Sequence, residues 1–235
     1  MKAVIPYPSA SMCGADVVEG CIASVAERFS DVDAFVVAVG SGRSELAVRR
    51  VADSAREASG RPVGVLRARE RAVNGVSAIR LCLKACIDAL PDEASVLFVP
   101  PWWHASCEPG LSVSGITGGV ELADDVVSVM LAGWLWGGCG GRVNYFPRPC
   151  PHEGFLAVQS SHYTDRWVFS VDAPQAVNAA LFRDGGIMSD SGLSGVDKFV
   201  QSNYWGRDDA NMVLVPRNQV QLFTDVLCVS PDYRA

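Results

Sequence analysis

Residues 36–44 read VVAVGSGRS: an apolar, β-branched run, a glycine turn, and then a serine at the head of a helical pattern. Such a run suits a buried strand. Ser44 stands where an N-cap belongs, and Gly60 stands where the helix that follows should stop. A strand that hands over to a helix within a few residues is the first half of a βαβ unit. Glycines in that turn let backbone N–H groups approach a phosphate at the helix N-terminus. GSG also occurs in ordinary βα turns, so the motif alone does not choose between the two.

The pattern repeats on both sides of this stretch. Ala3 to Tyr7 is a short apolar strand, and Asp16 to Phe29 carries helical spacing through Val17, Cys21, Val25 and Phe29. Ala34 to Val39 is the second strand, and Ser44 to about Ala58 the second helix. Pro62 to Leu66 is a third strand, Val76 to Leu90 a third helix ended by Pro91, and Ser95 to Val99 a fourth strand. Strands alternating with helices of this length imply right-handed crossovers and a parallel sheet. The strands are continuously apolar, as a sheet covered on both faces requires.

The second half is less regular. Cys107 to Gly119 reads as a Ser/Gly-rich loop, Leu122 to Trp136 as a helix and GGCGG at 137–141 as a break. Strand-like pieces follow at Arg142 to Phe146, Phe155 to Gln159 and Trp167 to Val171. Helical patterns follow at Ala173 to Phe182 and Val196 to Trp205, with a last strand at Met212 to Val215. No repeat or linker marks a second domain, so the expectation is one α/β domain. Its sheet should be Rossmann-like, mixed and mainly parallel, flanked by helices.

Composition narrows the function. A net charge of −6 argues against a protein that neutralises a phosphate backbone with clustered Lys and Arg. No run reaches the roughly 18 uninterrupted apolar residues of a membrane span. The opening MKAVIPYPSASMCG lacks the apolar core of a signal peptide, so the expected compartment is the cytoplasm. There the eight cysteines read as buried thiols rather than a disulfide framework. His104, Cys107, Cys139, Cys150 and His152 hold zinc-type side chains, but their spacing fits no compact zinc module.

Four stretches carry chemistry. VVAVGSGRS is the first. RARERAVNGVSAIR, 67–80, gathers Arg67, Arg69, Arg71 and Arg80 around an Asn74-Gly75 turn. It reads either as a solvated basic face or as the cations a diphosphate needs. PPWWH, 100–104, sets Trp102 and Trp103 where a strand emerges. Neighbours on an extended strand face opposite ways, so at least one ring is expected to be partly open, ready to stack on a base or sugar. FRDGGIMSDSGLSGVDKF, 182–199, sets Asp184, Asp190 and Asp197 around a glycine-rich loop, with Asp197 in the first turn of a helix.

Together these pieces resemble the family-2-type glycosyltransferases of the GT-A fold, in order and spacing more than in identity. KAVIPYP is similar to that family's first strand with its terminal proline. VVAVGS stands where the family closes a strand with an acidic pair and Gly-Ser, and NGVSAIR resembles its Asn/Gly-x-x-x-Ala-Arg helix start. Gly185-Gly186 resembles the acceptor-side Gly-Gly, Asp197 the second member of a Glu-Asp pair, and MVLVPRNQV the strand that follows.

Two departures stand out. Ala38-Val39 replace the acidic pair, and VPPWWH lacks the metal-binding Asp-x-Asp. Asp124-Asp125 falls some twenty residues too late to replace it. The resemblance implies an inverting transfer from a nucleotide-diphosphate sugar, and the two departures leave either a metal-independent enzyme or one that has lost catalysis. Asp197 would be the general base, and Pro6, Tyr7, Pro8, Gly40, Ser41, Asn74, Gly75, Arg80, Trp102, Trp103 and His104 would hold the donor.

Gly185, Gly186 and Asp190 would line the acceptor side, residues 1–104 forming the donor half and 105–235 the acceptor half. A divalent ion, Mn2+ or Mg2+, is the family's usual cofactor, but its usual ligands are missing and none is assigned. The acceptor is open among glycan, protein, small molecule and modified nucleobase, and so is the oligomeric state. The alternative is a catalytically inactive binding or assembly protein on the same fold. A nucleotidyltransferase is weaker, since neither G-x-G-x-x-G nor a P-loop is present.

Overall fold

The structure, a computed structural model, describes residues 1–8, 13–40, 42–68, 75–105, 109–116, 126–130, 145–148, 155–160, 174–179, 212–216 and 227–229. The first hundred residues alternate as expected: β1 (Lys2–Tyr7), α1 (Ala15–Arg28), β2 (Ala34–Val39), α2 (Glu45–Ser59), β3 (Val63–Arg67), α3 (Gly75–Ala89) and β4 (Ser95–Phe98). Beyond these lie β5 (Trp103–Ala105), the single turn α4 (Val113–Ile116), β6 (Val126–Met130) and β7 (Tyr145–Arg148). Then come β8 (Phe155–Ser160), β9 (Gln175–Asn178), β10 (Met212–Pro216) and β11 (Leu227–Val229).

Local chemistry sets the helix ends. The Ser44 side chain accepts from the Ala47 N–H at 3.2 Å, and Gly60 closes α2 in the left-handed region at φ 63°. Val17, Val18, Cys21, Ile22, Val25 and Ala26 of α1 are buried, as are Val48, Val51, Ala52 and Ala55 of α2. Burying one Val or Ile fully is worth about 1.5–3 kcal/mol, well above any propensity difference, so these faces hold the helices on the sheet.

Nine of the described strands form one mixed sheet in the order β3-β2-β1-β4-β9-β6-β10-β8-β7, and β5 pairs with β11 apart from it. The β3-β2-β1-β4 half is wholly parallel, with Ile5 opposite Val37 and Val37 opposite Val65. Beyond it the antiparallel β9 lies between β4 and β6, and β10 runs parallel to β6. Right-handed crossovers in this order set α1 and α2 on one face and α3 on the other. β1, β2 and β4 are accordingly buried almost end to end, while β3, an edge strand, exposes Gly64, Val65 and Arg67.

Pro6 is tolerated in a central strand because of register. The Val4 carbonyl accepts from Val99, so Val4 and Pro6 both turn their backbone groups toward β4. The β1–β4 pairing ends at Val4 and Phe98, so Pro6 removes no ladder donor.

Among the described residues, two segments expected to be helices contain strands. The first, 122–136, contains β6, and the second, 173–182, contains β9. Four or five residues have no period that separates a buried strand from a helix, and the neighbours decide. Ala176 pairs with Leu97 on one side and Val129 on the other, and all three are 0–1% exposed. The expected strand at 167–171 and helix at 196–205 lie outside the described residues.

At the amino ends of the strands, Asp31 fixes the start of α4. It accepts from the Val113 and Ser114 N–H groups at 2.9 and 2.8 Å and from the Ser112 and Ser114 hydroxyls at 3.0 and 2.7 Å. Burial alone would raise its carboxyl, but the bonds from Ser114, Val113 and Ser112 outweigh burial and hold it below the usual carboxylate value. Arg61 donates to the carbonyls of Ala26, Phe29 and Val32, which closes the end of α1. This part of the 107–119 loop is therefore anchored at the edge opposite the candidate site.

Candidate active site

β1, β2, β3 and β4 are parallel, so their carboxyl ends share one edge. Between β1 and β4 the chain reverses its direction of travel across the sheet. A crevice at such a switch point is where open α/β sheets bind ligands.

Tyr7 and Pro8 end β1 there, and Gly40 ends β2. The Tyr7 carbonyl accepts from Gly40 N–H at 3.0 Å, and a Cβ on Gly40 would lie 3.3 Å from Pro8 Cα. That approach leaves little room for a side chain. Two residues on, Gly42 turns the backbone at φ 94°, a left-handed conformation that glycine adopts without strain.

Arg43 follows that turn and folds back over Tyr7. Its guanidinium carbon lies 3.6 Å from the centre of the ring. Nη1 donates to the Tyr7 hydroxyl at 2.8 Å, Nε to the Pro8 carbonyl at 2.9 Å and Nη2 to the Cys13 carbonyl at 2.6 Å. Arg67, at the end of β3, donates to the Arg43 carbonyl at 3.2 Å and lies 3.7 Å from Glu45. Arg43 was missed in the sequence, although a cation directly after a GSG turn was the available signal. Its three nitrogens address the protein, which leaves the exposed Arg67 as the better-placed cation for an anionic ligand.

Under this edge lies a group of thiols. Cys13, Cys21, Cys82 and Cys86 are free and buried, as the cysteine reading expected. Burial pushes the Cys13 thiol up to about 11 despite the nearby Arg43. It pushes Cys82 up to about 12, a hydrogen bond from the Tyr7 backbone offsetting part of the rise. These thiols are core groups, not nucleophiles.

The tryptophans depart from expectation: Trp102 is 2% exposed and Trp103 1%. The expectation assumed an extended chain. Instead the Trp103 N–H donates to the Pro100 carbonyl at 3.0 Å, closing a turn with Pro101 in its second position, where proline is favoured. The turn carries the chain into β5, which packs against α1, and the Cys21 thiol reaches the Pro100 carbonyl at 3.9 Å. Both rings are buried as a result, and neither offers an open face for stacking.

Pro6, Tyr7, Pro8, Gly40, Trp102 and Trp103 are thus all placed at or just beyond the carboxyl ends of β1, β2 and β4. Gly75 begins α3, Arg80 lies a turn and a half further along it, and His104 sits in β5 opposite Cys228. Ser41, Asn74, Asp184, Gly185, Gly186, Asp190 and Asp197 lie outside the described residues. So do Asp124, Asp125, Cys107, Cys139, Cys150 and His152.

Glycosyltransferases of this fold commonly hold a divalent ion just after the fourth strand. Here that position is Val99-Pro100-Pro101-Trp102-Trp103, buried and without a side-chain oxygen. Mn2+ and Mg2+ take oxygen ligands, so this segment does not fit such an ion. Among the described residues no group of three or more His, Cys, Asp or Glu is arranged to hold a metal ion. No described helix is long and apolar enough to cross a membrane.

The architecture is the GT-A-type fold, a mixed sheet with one wholly parallel half. Among solved structures, residues 1–349 of TarS from S. aureus in complex with UDP superimpose with a TM-score of 0.50 at 15% identity. The match covers 91% of this chain and 56% of that one, so the chain spans little more than half the length of that structure. A nucleoside-diphosphate-sugar pyrophosphorylase from Vibrio cholerae RC9 matches with a TM-score of 0.48 at 12% identity, over 98% of this chain and 91% of that one. The mannosyltransferase PcManGT from Pyrobaculum calidifontis, in complex with GDP-Man and Mn2+, matches with a TM-score of 0.43 at 15% identity, over 94% and 59%. No family model and no curated protein matches the sequence.

Proposed function

We propose that the protein is a cytoplasmic glycosyltransferase that moves a sugar from a nucleotide-diphosphate sugar to an acceptor hydroxyl. The observation that carries this reading is the parallel β3-β2-β1-β4 half of a GT-A-type sheet, with its topological switch point between β1 and β4. On the same edge, beside β1 and β2, Pro8 leaves little room for a side chain on Gly40, and Arg67 ends β3. The likeness to a UDP-bound structure supports a nucleoside diphosphate as the first ligand to try.

In this reading residues 1–104 hold the donor and 105–235 the acceptor. The acceptor oxygen attacks the anomeric carbon as the bond to the diphosphate breaks, with inversion. Asp197 takes the hydroxyl proton. Arg67 and Arg80, rather than a metal ion at the end of β4, offset the charge on the leaving diphosphate.

The test is a thermal-shift panel of nucleoside diphosphates and nucleotide sugars with and without Mn2+. A ligand at a hundred times its dissociation constant should stabilise the protein by about 2.7 kcal/mol. A panel that shifts nothing removes the donor reading. A shift seen only with Mn2+ removes metal independence.

A second reading, a non-catalytic binding protein on the same fold, draws on the buried apolar end of β4. It is favoured if a nucleotide binds and no transfer to any hydroxyl follows.

A further inference from the structure

We infer that Arg43 is a positioning residue for the donor crevice, a clamp that joins the ends of β1 and β2 and the start of α1 across the face of Tyr7. The inference rests on the donor reading above and assigns Arg43 no contact with the reacting atoms.

The geometry is that of a clamp rather than a ligand site. Nε and Nη2 take the carbonyls of Pro8 and Cys13, which bracket the connection from β1 to α1. Nη1 takes the Tyr7 hydroxyl, and the guanidinium plane covers the ring at 3.6 Å. The Arg43 main chain belongs to the β2–α2 turn, and its carbonyl is held in turn by Arg67. The Arg43 side chain therefore ties the β1–α1 connection to the β2–α2 turn, and the Arg67 side chain adds the end of β3.

Only arginine fits this role. Its planar fork directs donors to separate acceptors while its face stacks on an aromatic ring, whereas lysine offers a single flexible point charge. Tyr7, 1% exposed and covered by Arg43, is closed to a ligand. The wall a donor meets is then Pro8 against Gly40, whose spacing the clamp holds. Loosening it should weaken donor binding and leave the chemical step of bound donor nearly unchanged.

The test uses the full chain and two variants, Arg43→Lys and Tyr7→Phe, read by hydrogen exchange and by affinity for the nucleotide that shifts the wild type, UDP first. For Arg43→Lys, exchange in peptides covering residues 5–16 and 38–44 should rise about tenfold while residues 48–58 stay unchanged. The nucleotide dissociation constant and the donor KM should rise about tenfold, with kcat within about twofold. Tyr7→Phe keeps the ring beneath the guanidinium and should move both readouts less, in the same direction; it carries the test if Arg43→Lys does not fold.

Unchanged exchange overturns the clamp. Raised exchange with unchanged affinity overturns the positioning role. So does a kcat that falls as far as the donor KM rises. If the wild type binds no nucleotide or nucleotide sugar, the donor reading falls and the positioning role with it, while exchange still reports whether Arg43 clamps the fold.

Discussion

Arg43 lies flat over Tyr7, its guanidinium carbon 3.6 Å from the ring centre and its Nη1 2.8 Å from the phenol oxygen. Burial raises the phenol above its ordinary value, and the neighbouring guanidinium offsets only part of the rise. Tyr7 therefore stays neutral near physiological pH. It serves as a platform and an acceptor, not as a base or nucleophile. This relationship ties a residue of the β2–α2 turn to the aromatic that ends β1.

Gly40→Ala tests the same edge from the end of β2. The new methyl would meet backbone atoms of Pro8 at 3.3 and 3.4 Å, and backbone gives way less readily than a flexible side chain. We expect a stability loss of about 1–2 kcal/mol by urea denaturation, together with weaker nucleotide binding. A variant as stable as the wild type would show that Pro8 moves aside at little cost.

Asp31→Asn should destabilise the fold by about 1–3 kcal/mol, because it removes charge-assisted bonds to two backbone N–H groups. The sign with pH follows from the lowered folded pKa. The wild-type contribution is present above the unfolded carboxyl value, near 3.9, and is lost as pH falls through the folded one. The stability difference between wild type and variant, measured from pH 7 downward, should accordingly shrink in acid. A difference that grows in acid would contradict the assignment.

Cys13 and Cys82 should resist thiol reagents in the native protein at pH 8. With the Cys13 thiol pushed up to about 11, roughly one molecule in a thousand carries the thiolate at that pH, and burial blocks access besides. Mass-resolved labelling should find both residues unmodified until denaturant is added. Rapid native labelling of Cys13 would mean that the connection it borders opens readily.

Asp197→Asn addresses the chemistry of the proposed transferase. The change keeps size and polarity while removing basicity, so nucleotide binding should survive and transfer should fall roughly a hundredfold or more. Asp184→Asn and Asp190→Asn are the comparisons, since they share the glycine-rich loop. If Asp190→Asn loses transfer and Asp197→Asn retains it, the base is Asp190.

The sequence by itself determined what local chemistry controls. The first four strands, the three helices between them, the Ser44 cap and the Gly60 stop were legible because apolar period, capping and left-handed turns act within a few residues. The parallel order followed, since crossover handedness leaves few alternatives. The placement of Tyr7, Pro8 and Gly40 on one edge was legible because strand ends in a parallel βαβ run share it.

Only the tertiary structure decided the rest. β6 and β9 are too short to declare a period, and they are strands because β4 and β10 supply the neighbours that take their backbone hydrogen bonds. Trp102 and Trp103 are buried because a turn at Pro100 sends them beneath α1, a direction that no spacing encodes. Arg43 finds Tyr7, Pro8 and Cys13 from 30 to 36 residues away, and such partners meet only when the sheet brings the strand ends together.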